Sequence, residues 1–455
     1  MRVMLIQPPS GNRYMDKYYL FEPLGLEYLG AALKEDRHDV VLLDARLEPD
    51  FESAFRSFGP EVVGITGFTN HLKIVKSMAA ELKKIDQTVF IMVGGHHATV
   101  RPQDYNLPYI DLVVIGEGVA PLREIMKCLE GRGSWVDIPG LGIPGPTKLE
   151  LTAPRPHPSL GTLPFPDRSL TAGYRANYFC EWLRPMASIR TSLGCVNRCN
   201  FCALWAITDG RYLRRQPESV VEELKNIEEE VVFFCDDESM ADWRRMDVLA
   251  DLIKESGLEK KYFTYARVDT IAKHPDMFAK WKDIGLIQVF VGFESYSNER
   301  LNDLKKNITM EEQEQAAQIL KDLKIDFLGA FMVDPSFTKG DFRAFASYVR
   351  KIEPTRPQLT ILTPLPGTEL YNDKIDDLIT DDPEMFDFVH TVLPTTLPIK
   401  EFYSEYYWLF QKTTSWKQFL KVILKFPPGR RFSMLRDYLG IAEEIKRGYI
   451  RHERV

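Results

Sequence analysis

Twice along this chain, short apolar runs alternate with segments of helical periodicity. A chain so patterned buries its strands in parallel sheets with helices packed across them. In the first alternation, the runs at 2–7 (RVMLIQ), 38–45 (HDVVLLDA), 61–66 (EVVGIT), 88–95 (TVFIMVGG) and 111–118 (DLVVIGEG) read as buried strands, with helix-like segments at 23–35 and 71–85. This predicts a doubly wound, Rossmann-like domain over 1–132, whose ligands meet the carboxyl ends of the strands. The second alternation places strands at 187–191, 231–235, 262–266, 287–293, 326–333 and 357–362. Six repeats predict a partial (β/α)6 barrel over 187–370, again with its reactive groups at the carboxyl ends. Between the two, residues 133–186 are dense in proline and glycine and read as a linker or as a surface excursion of the second domain. A mostly helical domain over 371–455 completes the α/β chain.

Composition narrows the class. With 455 residues, 44% hydrophobic and 27% charged, the sequence is that of a globular chain of two or three domains. A net charge of -7 gives no basis for a nucleic-acid partner. No apolar run reaches membrane-span length, and the N-terminus turns polar too soon for a signal peptide, so the expected location is cytoplasmic. Six cysteines, three of them crowded together, suit a reducing compartment and do not form a secreted disulfide framework.

The residues after the strands carry the chemistry. In the first domain they are Gly67, Gly94-Gly95-His96 and Gly116-Glu117-Gly118. Glycine there admits positive φ or close approach of a ligand, although such strand ends recur in any doubly wound fold. No G-x-G-x-x-G opens the first helix, which counts against a dinucleotide. In the second domain, Cys195, Cys199 and Cys202 follow the first strand, Asp236, Asp237 and Glu238 the second, Arg267 and Asp269 the third, Glu294 and Ser295 the fourth, Asp334 the fifth and Thr363 the sixth. Structural zinc wants a fourth ligand, and the nearest cysteines are Cys180 and Cys235. An iron–sulfur cluster held by three thiolates keeps one iron open, and the spacing favours this without excluding zinc. Cys128, Cys180 and Cys235 read as ordinary small apolar residues.

The C-x-x-x-C-x-x-C run after the first strand of a partial barrel, with Phe201 before its last cysteine, resembles the radical S-adenosylmethionine (SAM) superfamily. That resemblance implies a four-iron four-sulfur cluster on Cys195, Cys199 and Cys202. Its open iron would chelate SAM, and reductive cleavage would release a deoxyadenosyl radical able to take hydrogen from an unactivated carbon. It also implies an electron donor such as flavodoxin or ferredoxin. The stretches FEPLGLEYLGAAL, VVGIT, VGGHHAT and VVIGEG resemble the cobalamin-binding domain found ahead of such barrels. This implies cobalamin held by Gly67, Gly94, Gly95, His96, Gly116, Glu117 and Gly118. The cobalt-ligating D-x-H-x-x-G motif is missing from QPPSGNRYMDKYY, and the usual G-E-G-E stands as Gly116-Glu117-Gly118-Val119. Cobalamin would then be bound base-off without a histidine, or not bound at all.

Further stretches, among them GRYLRRQPESVVEEL, FFCDDESM, YFTYARVDTI and FDFVHTVLPTTLPIKEFY, resemble the hopanoid C-3 methylases and, more broadly, the tetrapyrrole-modifying cyclases and methylases, over roughly residues 1–410. By that analogy Asp236 or Asp237 would accept from the amino group of SAM, with Arg267 and Glu294 holding its carboxylate and ribose. The implied activity is methylation of an unactivated carbon of a hydrophobic polycyclic substrate, with the methyl group coming from methylcobalamin. Ring formation, hydration or carbon–carbon coupling without methyl transfer is the alternative, and a non-enzymatic iron–sulfur or cobalamin sensor a remote one. Residues 401–455 are basic and aromatic at helical spacing. They read as a helix packed on the barrel, as an apolar cap over its rim, or as an interfacial helix giving peripheral membrane contact.

Overall fold

The computed structural model describes residues 1–10 and 17–452. The chain forms two compact units. One contains the N-terminal strand and Glu22–Asn177, and the other contains Tyr178–Trp205 and the chain from Gly210 onward. The loop QPPSGNRYMDKYY, from which the cobalt-ligating motif is missing, lies in part on 11–16, outside the described residues.

In the first unit, β1 (Arg2–Gln7), β2 (Asp39–Asp44), β3 (Val62–Thr66), β4 (Phe90–Gly94) and β5 (Leu112–Val114) run parallel in the order 2-1-3-4-5. Because side chains alternate along a strand, each strand supplies both faces. Met4, Ile6, Val63, Ile65, Ile91 and Val93 pack on one side, and Val3, Leu5, Leu42, Val62 and Met92 on the other. Helix α1 (Leu24–Glu35) covers the second face. Helix α2 (Leu72–Ile85) covers the first with Leu72, Val75, Met78, Ala79 and Leu82, an i, i+3, i+4 stripe.

The expected linker belongs largely to this unit. Leu141–Ile143 and Glu150–Leu151 form β6 and β7, which extend the sheet antiparallel beyond β5. Residues 167–171 are strapped onto α1. Lys34 pairs with Asp167 at 2.7 Å, Thr171 donates to Glu27 at 2.5 Å, and Leu170 sits so close to Gly30 that a Cβ there would collide with it. Irregular backbone held by side chains has no period, so composition reads it as a linker.

In the second unit, β8 (Met186–Ile189), β9 (Val231–Phe234), β10 (Lys261–Arg267), β11 (Leu286–Glu294), β12 (Asp326–Val333) and β13 (Arg356–Ile361) form an all-parallel sheet in sequential order. Its outer face is buried except on β13, where Pro357 and Leu359 are partly exposed. Phe234, Val289, Val291 and Phe293 pack under Met246, Phe278 and Ala316. Inward-facing residues differ. Phe290, Gly292, Ala330, Met332, Gln358 and Thr360 remain partly exposed, so the upper lumen is open instead of filled with side chains. Toward the amino ends the lumen is closed by stacked rings. Phe233 lies 4.9 Å from Phe21, 4.7 Å from Phe263 and 5.0 Å from Tyr265, and Tyr265 lies 5.0 Å from Phe290.

The C-terminal residues do not cap the rim as a helical domain. Helix α3 (Lys339–Ile352) receives α4 (Ile399–Thr413) on the barrel's flank through the Phe342–Phe402 contact and the Arg343–Glu405 pair at 2.6 Å. Helices α5 (Trp416–Lys425) and α6 (Arg431–Arg447) then reach the opposite, amino end of the strands. There Gln418 bonds to the Pro354 carbonyl, Lys425 pairs with Asp326, and Phe426 meets Trp182. The segment beside the rim is instead the mostly irregular stretch after β13. The Leu370 N–H donates to the Asn200 carbonyl in the cysteine loop (2.9 Å), and Ile361 at the end of β13 donates to the Phe388 carbonyl (2.7 Å). Amphipathic periodicity shows that α4 to α6 pack on something, but not at which end.

Candidate active site

The cysteine loop leaves β8 through an anchored turn. Asp236, wholly buried after β9, accepts from Thr191 N (2.6 Å), Thr191 Oγ1 (2.5 Å) and Ser192 N (2.9 Å). Arg245 donates to the Thr191 carbonyl at 3.1 Å. Both Asp236 oxygens are therefore occupied in holding the loop. The adjacent Asp237 accepts from Gly194 N at 2.7 Å through Oδ2 and remains partly exposed. Gly194 has φ +92°, which suits glycine at this turn.

Cys195 and Cys199 are buried and Cys202 nearly so. Burial pushes the Cys202 thiol up to about 12 and raises that of Cys195. A cation must therefore be supplied before these sulfurs act as thiolates. Among the described residues the three thiols do not converge on one metal-sized point. Three cysteine thiols on one loop are nonetheless the donor set that a cubane takes, one thiolate at each of three corners. The residues fit such a cluster.

Two cations stand beside the loop. Arg267 Nη1 is 3.8 Å from Cys199 Sγ, its Nε donates to Asp269 (2.9 Å), and its Nη2 donates to the Lys306 carbonyl (2.8 Å). Lys306 Nζ lies over the Phe201 ring at 5.8 Å and donates to Glu294 at 2.6 Å. Positive charge here offsets the negative charge of a thiolate-bound cluster. Glu294 is thus engaged by Lys306, and its own φ of +65° comes with the register shift where β11 meets β12. Glu238, wholly buried, has an Oε1 without a hydrogen-bond partner among the described residues, and burial raises its carboxyl to about 8. Arg267, Glu294 and the two aspartates therefore gather at the cysteine rim as the strand ends predicted. Lys306, Arg245 and Thr191 were not foreseen. Lys306 lies beyond a short helix rather than at a strand end, between Lys305 and Asn307, both with positive φ, so strand counting could not reach it.

The first unit has its own carboxyl-end face. Its glycines divide by role. A Cβ on Gly95, where φ is +93°, would collide with Thr66 Oγ1 and lie 3.0 Å from Gly67 N, and one on Gly67 would press Val75 at 3.0 Å. Gly118 faces Leu29 at 3.2 Å, and Gly94 touches Val114 at 3.6 Å. These serve internal packing, whereas a Cβ on Gly116 (φ +83°) would meet open space. Among the described residues, His96 Nδ1 and Glu117 Oε2 are buried without partners, and burial lowers the His96 imidazole to about 4. Phe68 is largely exposed beside them, with its ring 5.7 Å from that of His96. Orphaned polar atoms beside an exposed ring and open backbone fit a large ligand with both amide and apolar edges, as a corrin has.

Comparison with known proteins agrees with this division. A B12 binding domain model matches residues 17–126, and a Radical SAM superfamily model matches 189–349. The hopanoid C-3 methylase of Methylococcus capsulatus is 29% identical over 414 residues, covering 89% of this chain and 78% of that protein. The anaerobic magnesium-protoporphyrin IX monomethyl ester cyclase of Rubrivivax gelatinosus is 23% identical, covering 86% and 73%. Among solved structures, the cobalamin-dependent SAM radical enzyme OxsB, with aqua-cobalamin and SAM bound, overlays with a TM-score of 0.75 at 15% identity, covering 98% of this chain and 71% of that one. The methyltransferase TsrM from Kitasatospora setae, with cobalamin and a [4Fe-4S] cluster, gives 0.67 at 18% identity, covering 82% and 74%. Among the described residues no helix is long and apolar enough to cross a membrane. The two domain matches make the chain a radical SAM enzyme with a B12 binding domain, its cofactors accordingly a [4Fe-4S] cluster, SAM and cobalamin.

Proposed function

We propose that this enzyme methylates an unactivated carbon of a hydrophobic polycyclic substrate, a hopanoid-like lipid or a tetrapyrrole. The supporting observation is the lumen. Above its aromatic floor it is walled by Gly292, Ala330 and Met332, with Gln358 and Thr360 on the β13 side, a mainly apolar surface that suits a ring system with few polar groups. When bound, the cofactors supply a carbon-centred radical and a transferable methyl group. The protein's part is positioning. Asp237, whose second oxygen is uncommitted, accepts from the amino group of SAM. Arg267 holds its carboxylate, and Glu294, steadied by Lys306, faces its ribose. Asp236 acts one step back, fixing the loop that carries the cysteines. In the first unit His96 and Glu117 meet the edge of cobalamin, and the reductant is a flavodoxin or ferredoxin.

The cyclase relatives motivate a second reading, ring formation without methyl transfer. One experiment separates the two. Anaerobic turnover with methyl-labelled SAM and either a hopanoid or a magnesium porphyrin ester is analysed by mass spectrometry. A product carrying the labelled methyl supports methylation. An oxidised or cyclised product without label supports the alternative, and turnover of neither compound removes the proposed substrate class.

A further inference from the structure

Beside the barrel rim, residues 385–393 form a run in which every side chain is buried except that of Phe388. The usual sorting is inverted. Asp387, His390 and Thr391 are inside while the large apolar ring is 38% exposed. Its backbone is also strained, for Phe388 has φ +65°, a conformation that bulky residues rarely adopt. The strain is imposed by its neighbours. Asp387 Oδ1 accepts from Val389 N (3.0 Å) and His390 N (2.9 Å), Asp387 Oδ2 lies 2.9 Å from His390 Nδ1, and Thr391 N donates to the Tyr403 hydroxyl (3.0 Å). The Phe388 carbonyl accepts from Ile361 N on the free edge of β13, next to Thr360, which lines the lumen. A buried polar frame thus holds a strained phenylalanine at the mouth of the barrel. Glycine or asparagine would occupy that backbone at lower cost, so the ring has a use that the fold alone does not supply.

We propose that Phe388 is a specificity-determining residue whose ring packs against a flat apolar substrate at the mouth of the lumen, an inference that rests on the hydrophobic-substrate reading above. Phe388→Gly relieves the backbone and removes the ring, Phe388→Ala removes the ring alone, and Phe388→Tyr keeps it. The holoenzyme is titrated with protoporphyrin IX monomethyl ester, followed by its fluorescence, and with diploptene in detergent, followed by the ratio of methylated product to deoxyadenosine. Melting temperature is measured in parallel.

The expected result has three parts. Phe388→Gly melts at or above wild type, by about 2 °C if the strain is fully relieved. Both Phe388→Gly and Phe388→Ala bind the polycycle roughly tenfold more weakly and form more deoxyadenosine per product, with SAM affinity unchanged. Phe388→Tyr restores coupling. A glycine variant that melts well below wild type would make the ring a packing element and overturn the proposal. Wild-type affinity and coupling in Phe388→Ala would overturn it too, leaving the substrate class intact. Failure of the wild type to bind either polycycle would overturn the substrate class and this inference with it.

Discussion

Both parallel sheets are built by the same alternation of strand and helix, yet their faces are used differently. The first sheet buries both, Ile6, Ile65 and Val93 on one side and Leu5, Leu42 and Met92 on the other, and its candidate ligand groups, His96 and Glu117, stand on the loops past the strand ends. The second buries only its convex face and leaves the concave one open above Phe233, Tyr265 and Phe290. Filling both faces gives stability and a platform for a cofactor laid on an edge. Leaving one face unfilled gives up part of that stability for a chamber in which a radical can be kept from water. If this division is right, damage to one sheet's carboxyl end should leave the other unit's cofactor in place.

The strongest test acts on the barrel. Cys199→Ala should reduce iron from about four per chain to near zero and abolish deoxyadenosine formation, while corrinoid content, read from the visible spectrum, stays at wild type. Corrinoid loss in step with iron would break the comparison. Next come the neighbouring aspartates. Asp236→Ala opens three hydrogen bonds in a buried turn and should cost on the order of 3–5 kcal/mol, with iron lost in proportion. Asp237→Ala should keep its iron and raise the KM for SAM. The reverse assignment would show that Asp236 meets the cofactor.

On the first sheet, Gly95→Leu forces a side chain onto Thr66 at positive φ. It should cost about 3–4 kcal/mol and block corrinoid uptake with the cluster assembled. Full corrinoid content in that variant would mean the carboxyl-end face is wrong.

Acid should act on the same unit through His71, which burial, aided by Arg46, lowers from 6.5 to about 4. The unfolded chain takes up the proton first, so stability falls as pH drops from about 6.5 to 4, by up to about 3 kcal/mol, and levels off below. His71→Leu should flatten that limb in a pH series of thermal melts. The smallest effect is expected at Gln288, buried on β11 with neither amide atom partnered among the described residues. Gln288→Met should raise stability by about 1 kcal/mol. Destabilisation instead would mean that a bound group satisfies the amide.

Much of this was legible before any coordinates. All but one of the eleven predicted strands match to within one or two residues, because Val, Ile and Phe cluster on buried strands. The exception, 111–118, overran a strand that ends at Val114, where the glycines begin. The three cysteines were legible because no packing role calls for that spacing. What could not be read depends on contacts between distant segments. Proline-rich 137–170 read as a linker because its ties to α1 run through Asp167, Leu170 and Thr171 rather than through a period. Two adjacent aspartates look alike in a sequence, and only the direction of each side chain separates the anchor from the open one. The tail's helices were predictable as helices. Their position beneath the barrel rests on Lys425 meeting Asp326, a pairing across 99 positions.

The aromatic floor has a kinetic consequence. Phe21, Phe233, Phe263 and Tyr265 fill the amino end of the lumen, so ligands would enter and leave at the carboxyl end, where the cysteine loop also lies. If SAM settles against the cysteine loop before the substrate covers it, binding is compulsory-order, with the substrate second. Excess product should then trap spent cofactor inside, appearing at saturating substrate as uncompetitive inhibition towards SAM and as deoxyadenosine that dissociates only after the product has gone.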